Sequence, residues 1–342
     1  MTSYFIRRFL LIIPTFIGIT LAVFLIMHFV PGGPIERQIM NLKMAIMQEG
    51  GVGGGQVVST ELPAAALEEM RRYYGFDQPV HIRYAQWLWN VVKLDLGRSY
   101  IYQDPVWEVI KSRFPVSLFL GLTGFILSYL VCIPLGVFKA IHHGSEFDFA
   151  SSFIVFLGYS IPGWAMGTAL LVLFGGGSFW NIFPLGGFRP DNWEFLNLGQ
   201  KIVAQLHHMI LPVICYMIGS FATLTILTKN SLMENLGQDY VRTAFAKGLT
   251  ERRVIFVHAL RNSLIPIATG LGHFFSLILA GSFLIERVFN IDGMGYLGYT
   301  SILQRDYPVA LGILVLSSLL MLLGNIISDI IYVVVDPRIR FK

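Results

Sequence analysis

The sequence predicts an all-α polytopic membrane protein with six transmembrane helices, and three observations carry that expectation. Of 342 residues, 54% are apolar and 13% charged, where a soluble domain averages about 25% charged; mean hydropathy is +0.63. Six apolar runs are each long enough to cross a hydrocarbon core of about 30 Å. The basic residues collect in the polar pieces between runs, with Arg242, Lys247, Arg252, Arg253 and Arg261 in the stretch 239–266. A net charge of +4 distributed in this way points to membrane orientation rather than to nucleic acid.

The first run, 9–30, follows Arg7 and Arg8 and meets Pro31 without a small-x-small cleavage site, so it is expected to be an uncleaved first span. Residues 31–114 form the longest polar region, a predicted extracytoplasmic helical insertion between spans 1 and 2. It holds a flexible glycine-rich piece at 50–55 and helical apolar spacing over 62–74 and 80–92, the latter through Tyr84, Trp87, Leu88 and Val91. Trp87 and Trp89 suit a membrane–water interface. The organisation expected is therefore 1–30 as N-terminus and first span, 31–114 as the extracytoplasmic segment, and 115–342 as a core with five spans.

Those five are 116–138, 149–174, 209–227, 267–285 and 309–335. Pro134, Pro162 and Pro212 inside them are candidate bends, tolerated in lipid because neighbouring helices satisfy the freed carbonyls. The fifth is rich in small residues, which let helix backbones approach closely. Six spans place both termini on one side together with 139–148 and 229–265. Lys and Arg number two, one, six and three in these four pieces, over 62 residues, which assigns that side to the cytoplasm. Cys132 and Cys215 lie inside apolar runs and read as small core residues.

Nothing offers enzymatic chemistry: no catalytic residue, no metal-ligand spacing, and no phosphate loop of the G-x-x-x-x-G-K-[ST] type occur. Charges within spans are costly and so informative. Asp329 shares a helical face with Asn325 and Tyr332 and reads as a structural anchor. His273, at the middle of the fifth span, and Tyr159 in the third are candidates for lining a solute path, with packing as the plainer reading of the histidine. Glu286 and Arg287 are expected to pair locally.

The segment 229–265 is the most informative. Tyr240, Thr243, Ala244 and Lys247 recur at i, i+3, i+4 and i+7 and share a helical face. Gly248 interrupts the helix. Thr250 can cap a second over 251–261, on which Val254, Val257 and His258 share a face. Two short helices bent at a glycine form a rigid knob. A solvated loop whose arginines only fix topology is the plainer alternative.

The wording of this segment resembles the cytoplasmic coupling loop of the permease subunits of ATP-binding-cassette (ABC) importers, in particular the dipeptide and oligopeptide class. That class reads close to D-Y-x-R-T-A-x-A-K-G-L and then H-x-L-R-N-x-x-x-P. Asp239, Tyr240, Arg242, Thr243, Ala244, Ala246, Lys247, Gly248, Leu249, His258, Leu260, Arg261, Asn262 and Pro266 all match. Phe245 stands where arginine is common. The external stretches Tyr74–Val80 and Asp95–Ser99 resemble the external segment of peptide permeases, and the glycine-rich insertion, Gly175–Phe179 and Phe183–Leu185 are similar to the Yej-type branch, associated with peptide and microcin C uptake.

The resemblance implies the fold of a type I ABC importer permease and a place in the bacterial inner membrane. It implies coupling to an ATPase through Asp239, Tyr240, Arg242, Thr243, Ala244, Lys247, Gly248, His258, Arg261 and Asn262. It further implies a second permease subunit, two cytoplasmic ATPases carrying ATP and Mg, and an extracytoplasmic peptide-binding protein, with no cofactor in this chain itself. A small residue at position 244 suggests that the ATPase comes close there. A secondary transporter and a non-transporting membrane scaffold are the alternatives; the first would need inverted repeats or intramembrane ion ligands, and neither is evident.

Overall fold

In the computed structural model, residues 2–29, 39, 68–69, 77–177, 179–270 and 282–335 are described. Among them the chain is helical, without a strand and with two isolated bridges, Arg98 to Pro105 and Gly175 to Phe183. The helices in order are α1 (Thr2–Phe29), α2 (Val80–Val92), α3 (Val106–Ile141), α4 (Glu146–Ser160), α5 (Gly163–Phe174), α6 (Leu198–Leu236), α7 (Asp239–Ala246) and α8 (Glu251–Arg253). A π-helical turn (Val254–Ala259) leads to α9 (Leu260–Ser263), followed by α10 (Ile265–Thr269), α11 (Phe283–Val288), α12 (Met294–Leu303) and α13 (Tyr307–Val335).

Among the described residues, four helices are long and apolar enough to cross a membrane: α1 over Ile6–Phe29, then α3, α6, and α13 over Tyr307–Ile331. The predicted third span is not one straight helix. It divides into α4 and α5, which meet at 100° and are together long and apolar enough for a broken span or a re-entrant loop. Ile161 takes extended backbone angles, φ −100° and ψ 120°. The ring of Pro162 disfavours the α region for the residue before it and supplies no N–H, and with Ile161 extended the helix stops there. Pro115, Pro134 and Pro212 are accommodated inside α3 and α6. The predicted fifth span, His273 included, and the helix expected over 62–74 with its glycine-rich neighbour fall mostly outside the described residues.

Two spans begin earlier than the hydropathy suggests. α3 starts at Val106, ten residues before its apolar run, inside the expected external segment. α6 starts at Leu198 because Asn197 and Gln200 form a capping box: each side chain accepts from the other's backbone N–H, at 2.9 and 3.1 Å.

The chain forms two compact units. The first comprises Met1–Leu10, Arg113–Leu297 and Leu319–Lys342. Its main core joins α3, α5, α6 and α11 through Leu120, Met209, Cys215, Ile285 and Phe289. α3 and α6 approach so closely at Gly136 that a Cβ there would lie 2.6 Å from that of Thr228. Both cysteines are buried and free, as expected of core residues. Asp329 is held from the N-terminal helix: Arg8 reaches both carboxylate oxygens at 2.9 and 3.1 Å, and Tyr4 donates at 3.2 Å. It is an anchor, but the partners found are Tyr4 and Arg8 rather than Asn325.

The second unit comprises Leu11–Ser112 and Gly298–Ser318. α2 packs on α1 through Phe24, whose ring lies 5.4 Å from Tyr84 and 5.8 Å from Trp87, while the Tyr84 hydroxyl donates to the Ile17 carbonyl. Trp87 is thus packed against a helix and Trp89 stays exposed. Asp306 gathers the 99–101 turn, accepting from the Ser99 hydroxyl and from the backbone N–H of Tyr100 and Ile101.

Candidate coupling surface and the cavity behind it

α7 ends in a Schellman motif. Gly248 has φ +76°, its N–H donates to Phe245 O at 2.9 Å, and the Leu249 N–H reaches back to Ala244 O at 3.4 Å. A residue with a Cβ enters this left-handed region only at a cost. Leu249 then turns inward onto an apolar cluster, and Thr250 precedes α8 without a side-chain capping bond. The bend expected at Gly248 is therefore present, made by backbone rather than by a threonine cap.

The apolar cluster fixes which faces are hidden. Val241 and Ala244 of α7 pack with Val254, Ile255 and Ala259 onto Val137 and Ala140 of α3 and Leu232 of α6. Two expectations are corrected here. Ala244 is buried, 8% exposed, against the chain's own helices, so its small size is explained by internal packing and no longer argues for ATPase docking at that position. On the following helix the hidden set is Val254, Ile255 and Ala259, not Val254, Val257 and His258; Val257 is 55% exposed. The π turn is the reason, because its wider period brings residues five apart onto one side.

What faces outward on α7 is Asp239, Tyr240, Arg242, Thr243, Phe245 and Lys247. Tyr240 donates to Asn235 Oδ1 at 2.8 Å, and Thr243 to the Asp239 carbonyl. The Arg242–Asp239 pair, at 3.5 Å with both side chains mostly exposed, adds little to stability. Phe245, an exposed phenylalanine beside these charges, gives the surface an apolar centre. Arg261 and Asn262 are also exposed, and His258 is half-buried. Ser231 and Ser263 exchange hydroxyl-to-carbonyl hydrogen bonds at 2.9 and 3.3 Å, both buried, tying α9 to α6.

Beneath the knob lies a charge cluster that sequence reasoning missed. Asp148, at the start of α4, receives Lys139 of α3 at 3.1 Å and Lys229 of α6 at 2.7 Å. Lys139 is 1% exposed and also reaches the Asp148 carbonyl and the hydroxyls of Ser151 and Ser152. The available signal was an aspartate and two lysines each at the margin of an apolar run, where an unpaired charge is expensive.

Glu286 is likewise not the local partner of Arg287. It is fully buried, accepting from Ser117 Oγ at 3.0 Å, Tyr216 OH at 3.3 Å and the Tyr296 N–H at 2.7 Å. Arg287 instead meets the Tyr296 hydroxyl at 3.2 Å. Behind this network residues of α3, α5, α6, α10 and α11 line a half-open cavity of about 550 Å³, Tyr129, Trp164, Tyr216 and Ser220 among them. Tyr159 is exposed and does not line it.

The family model described as "Binding-protein-dependent transport system inner membrane component" matches residues 132–341, which include the ion cluster, the knob and the cavity's α6 and α10 walls. This chain belongs to that family. Over its whole length it is 39% identical to the peptidoglycan transport system permease protein YejB of Agrobacterium fabrum, across 99% of that protein. It is 40% identical to the inner membrane ABC transporter permease protein YejB of Escherichia coli O157:H7, and 36% identical to the oligopeptide transport system permease protein AppB of Bacillus subtilis, in each case across the whole of both chains. As a binding-protein-dependent permease it is a multi-pass inner-membrane transport subunit without an ATPase site of its own, and it works with an ATPase and a substrate-binding protein.

Proposed function

We propose that this chain is one of two permease subunits of a peptide importer, and that it couples the solute path to ATP hydrolysis through the outward face of α7. Six spans place its termini and the knob in the cytoplasm, where two ATPases carrying ATP and Mg dock. A second, homologous permease completes the path, and an extracytoplasmic peptide-binding protein delivers oligopeptides or peptide-like compounds such as microcin C. The observation that supports this most is the seating of the knob. Asp239, Tyr240, Arg242, Thr243, Phe245 and Lys247 stand outward on a helix whose other face is packed onto α3 and α6.

A push on α7 is therefore delivered to the ends of two long helices rather than absorbed by a loose loop. Gly248, His258, Arg261 and Asn262 hold or extend that surface. ATP binding biases the ATPases toward a closed state, and the long helices follow between outward-open and inward-open arrangements, a two-state switch driven by differential contacts. Family membership removes the ground for a secondary transporter or a scaffold. The test is uptake of a labelled tripeptide into proteoliposomes holding the chain with its partner permease, ATPases and binding protein. Uptake that needs ATP and is lost when the ATPases are omitted is expected; uptake indifferent to ATP overturns the reading.

A further inference from the structure

The cavity behind the knob has an uncharged wall among the described residues. Among the described residues that line it there is no Asp, Glu, Lys, Arg or His. Its polar side-chain groups are the hydroxyls of Ser128, Tyr129, Tyr216, Ser220, Thr223 and Ser282 and the indole N–H of Trp164, and the protons of the first four hydroxyls are engaged within the chain. Ser128 Oγ donates to Gly124 O at 2.7 Å, Tyr129 OH to Ile267 O at 3.3 Å, and Tyr216 OH to Glu286 at 3.3 Å. Ser220 Oγ lies 3.3 Å from both Ser128 Oγ and the Met217 carbonyl. A hydroxyl has one proton and two lone pairs, and although Tyr216 OH already accepts from the Ser282 N–H at 2.8 Å, oxygens placed in this way retain lone pairs toward the space between them. Trp164 and Phe125 add flat apolar surface, and Gly219 opens it: a Cβ there would meet nothing within 4 Å.

We propose that this cavity is a binding site for the main chain of the transported solute, taking its N–H groups on the hydroxyl oxygens and its side chains against the aromatic faces. The assignment rests on the peptide-importer reading above. Volume fits, since small-ligand sites usually measure about 300–1,000 Å³. Chemistry selects among occupants. A lipid chain offers no donor and would leave the oxygens unsatisfied, which is costly away from water. Amide N–H groups and an amino group meet the wall's need, and they are common to every peptide whatever its sequence. Pro266 and Ile267, at α10 just past the knob, also line the cavity, so movement of the coupling segment changes the site's shape.

The experiment uses the assembled importer in proteoliposomes. Gly219→Cys, in a chain with Cys132→Ser and Cys215→Ala, is labelled with a maleimide while the binding protein delivers trialanine or its amide-N-methylated analogue at matched receptor occupancy. Trialanine is expected to slow labelling severalfold and the N-methylated peptide to leave it unchanged. Gly219→Trp, which fills the space, is expected to lower uptake by roughly tenfold or more, the equivalent of about one decade in binding. Gly18→Trp on the exposed face of α1 leaves uptake as it was. If Gly219→Trp does not assemble, labelling at position 219 decides alone. Import by the unmodified chain without protection at position 219, or with equal protection by both peptides, overturns the cavity assignment only. No ATP-dependent import at all overturns the functional reading, and the cavity assignment with it.

Discussion

The Nζ of Lys229 lies 2.8 and 2.7 Å from the two carboxylate oxygens of Asp148, joining α6 to the first turn of α4. Lys139 adds α3 to the same carboxylate. Three helix ends are thereby fixed by one side chain, and two of them, on α3 and α6, are those on which the knob is seated. Removing one partner of a buried ion pair typically costs about 3–5 kcal/mol, because the charge left behind is uncompensated. Asp148→Ala leaves two lysines facing each other and is expected to lose stability of that order. Thermal unfolding of the detergent-solubilised chain measures it, and a shift no larger than that of a surface substitution would show the cluster to be dispensable.

Gly248 tests the bend. Gly248→Val forces a β-branched residue to φ +76°, at a cost of about 1–2 kcal/mol from the left-handed geometry alone. No neighbouring atom lies within 4 Å of the added Cβ, so the effect is conformational rather than steric. Insertion into the membrane is expected to proceed, while co-purification of the ATPases weakens. Equal recovery of the ATPases from Gly248→Val and from the unmodified chain would show that the bend is not needed for docking.

Ala244 and Phe245 are neighbours with opposite surroundings. Ala244→Trp overpacks a filled cluster and is expected to destabilise the chain by about 1–3 kcal/mol. Phe245→Ala removes an exposed ring, and its effect on folding is expected to stay within about 0.5 kcal/mol while ATPase association drops. Unfolding curves and pull-downs on the two variants separate the roles; a stable Ala244→Trp would contradict the burial found here.

Glu286 sits where a helix turns and has three neutral donors. Glu286→Leu leaves the Ser117 and Tyr216 hydroxyls and the Tyr296 N–H without their acceptor, each a buried loss of about 1–3 kcal/mol. Glu286→Gln, which keeps one carbonyl acceptor, is expected to be milder. Equal unfolding temperatures for the two variants would show that the network does not hold the cavity wall.

Much of this was legible from residues. Apolar length located the cores of α1, α3, α6 and α13, and the match from Asp239 to Pro266 located the knob and its glycine. Periodicity gave α2 its buried side. The failures have physical causes. A period of 3.6 cannot anticipate a π turn, so the hidden face of 254–259 was misplaced. Smallness at Ala244 signals a close surface without saying whose, and the surface belongs to α3 and α6. Charges read one at a time do not reveal that Lys139, Asp148 and Lys229 converge from three helices. Proline alone does not say whether a helix bends or stops; at Pro162 the extended Ile161 decides it.

The central claim is that the outward face of α7 meets the ATPase. A photo-crosslinking amino acid placed at position 245 of the assembled importer tests it most directly, with position 244 as the buried comparison. Irradiation is expected to give an adduct with the ATPase from position 245 and none from position 244. An ATPase adduct from position 244 alone, or from neither position in a complex that imports peptide, would contradict it.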